Sequence, residues 1–247
     1  MAVSAPHELR VAALYPERLN HYADRGNLIV LERRCRWRGI GFTLTRVSVG
    51  DELHPSAHDL YYLGGGQDGD LARCGLDLAA TKQVALHEAA ARGAVVLGVC
   101  GGYQLLGRGY ETGSAWVPGA GLVDVSTVAG SPRLVGHAVV EVDLGDGPRK
   151  LAGFENHAGR TWLGTDEGPL GRVLTGHGNN GVDRTEGVRR GNVIGTYLHG
   201  PLLAANAWLA DRLISIALGG VPLEHLDDRF ESAVHEAALA AAGSGRG

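Results

Sequence analysis

The chain has 247 residues, 44% of them hydrophobic, and a formal net charge of −4. That supplies a sizeable core for one large domain or two small ones, and the acidic balance excludes the usual basic-faced nucleic-acid module. Three cysteines, Cys35, Cys74 and Cys100, show no Cys-x-x-Cys spacing; they fit neither a disulfide framework nor a zinc site and point to a reducing cytoplasm.

The opening "MAVSAPHELRVAALYP" lacks the charged lead and long apolar run of a signal peptide. No apolar stretch approaches bilayer length, so no transmembrane segment is expected. "LRVAALY" (9–15) reads as a buried strand. "GNLIVLERRCRWRG" spaces Leu28, Leu31 and Cys35 near helical period, with Gly39 as the stop, which makes Cys35 a core residue. "FTLTRVSV" (42–49) alternates and is β-branched, a second strand, and "DLYYL" (59–63) is a third, running into the glycine-rich "GGGQDGD". "LDLAATKQVALHEAAARG" (76–93) is a helix closed by Arg92 and Gly93. "AVVLGV" (94–99) is a strand apolar on both faces. Strands alternating with helices predict an α/β fold with a parallel sheet between helical layers.

Beyond Gly107, "GLVDVSTV", "HAVVEVDL", "GRVLTG" and "GNVIGTYLHG" are short runs between Gly and Pro turns. They predict an antiparallel or mixed extension of the same sheet within a single domain spanning 1–247. "AANAWLADRLISIAL" (204–218) is an amphipathic helix, and the last few residues of "AALAAAGSGRG" are expected to fray.

The chemistry concentrates in "VVLGVCGGYQLLG". Ligands of open parallel sheets sit beyond the carboxyl ends of the strands, and Cys100 ends one, with a helix expected from about Gly101. Backbone N–H groups there favour the thiolate. Gly98, Gly101 and Gly102 permit a strained turn and a close approach of backbone to substrate. An N–H of Gly101 and one from the Gly64–Gly66 loop are the candidate oxyanion donors. Cys74 lacks such surroundings and reads as structural. A thiol nucleophile needs a base. His199, at the tip of "NVIGTYLHG", is the first candidate and His157, in "GFENHAG", its rival. His7, His21, His54, His58, His87, His225 and His235 lie in polar or helical contexts.

"GVCGGYQLLG" followed by "GTYLHG" about a hundred residues later resembles the class I glutamine amidotransferases, in the CobB/CobQ-like branch of the cobyrinic and cobyric acid amidating enzymes. "LYPERLNHYADRGNL", "YYLGGGQD", "SPRLVGHAVV", "GFENHAGRTWLG" and "YLHGPLLAAN" extend the resemblance, over nearly the whole chain, to the GatD family of glutaminase subunits of bacterial lipid II isoglutaminyl synthase. The resemblance implies a flavodoxin-like three-layer sandwich with a mixed, mostly parallel central sheet. It implies Cys100 as nucleophile and His199 as base, with Gln104, Arg133, Gly65, Gly66 and Gly101 binding substrate. Arg133 would take the glutamine α-carboxylate, for which a guanidinium fork is well shaped. Many class I enzymes carry a glutamate two residues after the histidine; here Pro201 stands there, and Glu155 is a conceivable substitute.

No P-loop, Rossmann or ATP-grasp signature is present, so no cofactor and no metal are expected in this chain. The resemblance implies a MurT-like Mur-ligase partner that uses ATP and magnesium to activate D-glutamate of the lipid II stem peptide, at the inner face of the membrane in the cytoplasm. Ammonia from Cys100 would convert it to D-isoglutamine in peptidoglycan biosynthesis. Two other readings stand beside this one: an amidotransferase for a cobyrinic or cobyric acid acceptor, and a non-catalytic DJ-1-like cysteine sensor.

Overall fold

A computed structural model describes residues 8–21, 24–112 and 115–244. His7 and the final residues 245–247, where fraying is expected, lie outside them. The first half runs β1 (Glu8–Leu14), α1 (Arg25–Arg36), β2 (Gly41–Val47), β3 (Leu60–Leu63), α2 (Asp68–Asp77), a π-helical turn (Leu78–Lys82), α3 (Gln83–Ala91), β4 (Val95–Val99) and α4 (Gly101–Leu106). The second half runs β5 (Gly109–Glu111), β6 (Trp116–Pro118), β7 (Val125–Asp143), β8 (Pro148–Leu163), β9 (Gly171–Thr175), β10 (Thr185–Glu186), β11 (Val188–Arg190) and β12 (Val193–Thr196). Three helices follow: α5 (Leu202–Ala205), α6 (Ala207–Ala217) and α7 (Arg229–Ser244).

The first sheet has the order β11-β12-β4-β3-β1-β2. All neighbours are parallel except β11 and β12. Strand side chains alternate between faces, and here both faces are covered. Leu14, Tyr61, Leu63 and Val96 pack with Leu71, Leu78, Leu86 and Leu105 of α2 to α4. Leu9, Val11, Leu60 and Leu97 pack with Leu28 and Leu31 of α1 and Leu209 and Leu213 of α6. The central strands β3 and β4 are consequently buried throughout, whereas β2, at the edge, is mostly exposed. Cys35 and Cys74 fill these two cores, where burial pushes each thiol up to about 12. This is the mixed, mostly parallel sheet of a flavodoxin-like fold.

The second half departs from expectation. Only β11 and β12 join the first sheet; β5 to β10 form a second one, with β10-β9-β7-β5-β6 in order and β8 paired to β7. The second half of "GLVDVSTV" and all but the last residue of "HAVVEVDL" belong to one strand, β7, that pairs with β8 from Val125↔Leu163 to Asp143↔Pro148 across a bulge between Ala129 and Leu134. Alternation along each run is visible in sequence, but the pairing partner is not. Among the described residues no helix is long and apolar enough to cross a membrane.

Candidate active site

Cys100 leaves β4 with φ 50° and ψ −106°, a conformation that costs a non-glycine residue free energy. Its neighbours hold it there. The Cys100 N–H donates to Thr196 O at 2.8 Å, and the Gly102 N–H donates to Gly64 O at 2.9 Å. A Cβ at Gly102 would overlap the Leu63 carbonyl, so only glycine lets α4 start this close to β3. The turn leaves Cys100 partly exposed, lining a cleft of about 320 Å³.

His199 arrives from the adjacent strand. After β12 the chain turns at Thr196–Leu198, where the Leu198 N–H donates to Thr196 Oγ1 and the Tyr197 N–H to buried Glu186. A reciprocal backbone pair with Phe154, at 2.9 and 3.0 Å, then fixes His199. Its ring is buried, with the Cys100 side chain near enough to favour its charged form. On the other side its Nδ1–H donates to Asp24 Oδ1 at 3.1 Å. Asp24 Oδ2 accepts the Gly65 N–H at 2.7 Å. A carboxylate oxygen can only accept, so Nδ1 carries a proton and Nε2 is the ring nitrogen left to serve Cys100. Burial works against charge on His199. The hydrogen bonds and charges of Asp24 and Cys100 overcome it and raise the imidazole to about 10.

Asp24 thus occupies the orienting role for which Glu155 is a candidate in sequence. Glu155 is not available: its two oxygens accept the His177 and Gly178 N–H groups at 2.6 and 2.9 Å, in the second sheet. His157, the rival base, lines the same cleft but is otherwise committed. Its ring stacks on Tyr197 at 3.6 Å, Nδ1 meets Gly159 O at 2.8 Å, and burial drives its pKa down to about 3.

Gln104 lies one turn into α4, buried against the cleft, its Nε2 donating to Tyr197 OH at 3.2 Å. Arg133 lies across the cleft, its Nε and one Nη donating to Asn156 Oδ1 and O at 3.0 and 2.9 Å. Of the glycine loop, Gly65 differs from expectation: its N–H is taken by Asp24, so it buttresses the imidazole rather than offering an oxyanion donor. The N–H groups of Gly66 and Gly101 have no acceptor among the described residues, and a Cβ at Gly101 would lie 3.0 Å from Gly66 N. Asp24, Asp68, Tyr110 and Asn156 are site residues that the sequence reading does not select. Asp24 falls within a quoted motif, "LYPERLNHYADRGNL", but nothing local distinguishes it from a surface carboxylate. Among the described residues no His, Cys, Asp or Glu cluster could hold a metal ion.

A thiol on a strained strand–helix turn, beside an imidazole that an aspartate orients, is equipment for acyl transfer from an amide through a thioester. The comparisons narrow this. The CobB/CobQ-like glutamine amidotransferase domain model matches residues 10–207. The GatD subunit of lipid II isoglutaminyl synthase of Streptococcus pneumoniae is 38% identical over 86% of this chain and 82% of its own; that of Staphylococcus aureus is 37% identical over 88% of both. A cobyric acid synthase of Pelotomaculum thermopropionicum is 36% identical over 80% of this chain but only 38% of its own length. PurLQS from Thermotoga maritima shares the fold, with a TM-score of 0.59, 24% identity, and coverage of 85% of this chain and 95% of that one. The chain belongs to the CobB/CobQ-like glutamine amidotransferase family, with curated GatD subunits among its relatives, and its activity is that of a glutamine amidotransferase.

Proposed function

We propose that this chain is the glutamine-hydrolysing subunit of a lipid II isoglutaminyl synthase. The Cys100 thiolate attacks the carboxamide carbon of L-glutamine, and the oxyanion is received by the Gly66 and Gly101 N–H groups. His199, as imidazolium, gives its proton to the departing nitrogen, and ammonia leaves. The neutral imidazole then takes a proton from water, whose oxygen attacks the thioester; glutamate departs and the thiolate–imidazolium pair is restored. Arg133 holds the α-carboxylate, and Gln104 shapes the wall beside it.

Ammonia is mostly protonated at neutral pH and then not nucleophilic, so its transfer to a bound partner protects it. The partner in this reading is a MurT-like ligase subunit that activates the α-carboxylate of D-glutamate with ATP and magnesium, giving D-isoglutamine in lipid II. That places the complex in the cytoplasm, at the inner membrane face. The observation that carries the reading is the extent of kinship: the GatD relatives match over most of both chains, whereas the cobyric acid synthase matches over a minority of its own. A cysteine sensor has no need of an imidazole set beside the thiol and aligned by a buried carboxylate.

The test supplies the purified chain and its Mur-ligase-like partner with lipid II, ATP and amide-¹⁵N glutamine. Label should appear in the stem peptide and vanish with Cys100→Ala or His199→Ala. Ammonia release without labelled stem peptide ends the cell-wall assignment; full activity in both variants ends the catalytic one.

A further inference from the structure

The cleft over Cys100 carries two opposite charges that have no charged partner. Among the described residues lining it, Asp68 is the one carboxylate and Arg133 the one guanidinium. His157 is held neutral by burial. Arg133 is anchored to Asn156 through Nε and one Nη, which leaves the rest of its fork uncommitted. Asp68 is the first residue of α2, and its carboxylate makes no hydrogen bond or ion pair among the described residues. Its neighbour Asp70, by contrast, is paired with Arg18 at 2.8 Å. Both unpaired groups act on one point in the wall, the Tyr110 hydroxyl. Burial raises its pKa, Asp68 raises it further, and Arg133 opposes them.

We propose that Asp68 is the specificity-determining acceptor for the α-ammonium of glutamine, so that Asp68 and Arg133 together read a free α-amino-acid end while the carboxamide is presented to Cys100. This inference rests on the glutaminase reading. Its logic is that of charge complementarity. A zwitterion supplies one cation and one anion on neighbouring atoms, and this cleft offers one anion and one cation that no opposite charge among the described residues pairs. A carboxamide lacking the ammonium, or carrying it acylated within a peptide, would leave Asp68 unpaired. A site built to bond a polar group rejects analogues without it.

The alternative role for Asp68 is structural, as an acidic residue in the first turn of α2. The two roles differ in what they do to substrate preference. Ammonia release by the full chain, alone and with its ligase subunit, is to be measured on L-glutamine and on glutaramate, which carries hydrogen in place of the α-ammonium. The native chain should strongly prefer glutamine in kcat/KM. Asp68→Asn should cut that preference about 10- to 100-fold, the range for a lost charge-assisted hydrogen bond, mainly through the KM for glutamine. Asp68→Glu should recover part of it. An unchanged preference, or equal loss on both substrates, overturns the role of Asp68. If the native chain shows no Cys100-dependent ammonia release at all, the glutaminase reading itself has failed, a separate and distinguishable result.

Discussion

His199 and Asp24 are 175 residues apart in the chain and 3.1 Å apart in the structure, both buried. The contact joins the loop before α1 to the turn after β12, and it aligns the imidazole on which Cys100 depends. Three further hydrogen bonds hold the aspartate's surroundings: Tyr62 OH donates to Asp24 O at 3.0 Å, Asn27 Nδ2 to Tyr62 OH at 2.9 Å, and the Leu203 N–H to Asn27 Oδ1 at 2.9 Å.

Replacing Asp24 with asparagine should therefore leave the cleft in place but release the tautomer. Loss of the orienting carboxylate in a nucleophile–histidine pair lowers turnover by about 10²- to 10⁴-fold. The pH behaviour should change too. His199 is raised from 6.5 to about 10 in the folded chain, so the stability gained from its charge is complete below 6.5 and is lost as pH climbs through about 10. Asp24→Asn should bring forward, to lower pH, the loss of imidazolium seen in the rate of Cys100 alkylation by iodoacetamide. An unshifted profile argues against the contact.

Gly65→Ala tests the buttress on the opposite side. The added Cβ would lie 3.0 Å from His199 Cε1, 3.1 Å from Asp24 Oδ2 and 3.4 Å from the Cys100 Cβ. Displacing a reacting group by even an ångström can cost about 100-fold in rate. Overpacking of this kind costs about 1–3 kcal/mol in stability. Glutamine hydrolysis should fall well beyond what denaturation midpoints account for.

Glu186 sets a different pH dependence. Burial pushes its carboxyl up from 4.5 to about 8, although Tyr197 N–H and Thr196 hydroxyl bonds favour the anion, and the charge of Glu155 pushes it higher. An acid raised by folding binds its proton more tightly in the folded state, so its contribution is complete below 4.5 and declines as pH rises towards 8. Glu186→Gln should flatten the fall of Tm over that window, which reflects a loss of unfolding free energy of at most about 1.4 kcal/mol per pH unit for one group. A parallel Tm curve for the variant contradicts the assignment.

Arg34 ties α1 to the C-terminal elements. Almost wholly buried, it forks onto Asp211 at 2.5 and 2.6 Å and onto Asp228 at 2.9 and 2.8 Å. Arg34→Ala strands two carboxylates, one of which keeps Arg38, and should destabilise the chain by about 3 kcal/mol in chemical denaturation. Arg34→Lys should rescue little, since an ammonium lacks the planar fork.

Features that depend on neighbours along the chain are legible before folding. The apolar runs of β1, β3 and β4, the glycines around Cys100 and the strand that delivers His199 are local patterns, because burial on both faces, a strained turn and a strand end each require particular residues within a few positions. Cys35 and Cys74 were legible as core for the same reason, by their apolar helical spacing and by the absence of any such turn. The remainder follows from the closed fold. A carboxylate in "HYADRGN" becomes the partner of an imidazole 175 residues away because the parallel order of β1, β3, β4 and β12 brings their carboxyl ends together. The long β7–β8 pairing belongs to the second sheet, and the alternation of each strand by itself does not name the strand it will pair with. The same closure gives the Gly65 N–H to Asp24 and leaves the Gly66 and Gly101 N–H groups without an acceptor among the described residues, a division among glycines that no spacing along the chain encodes.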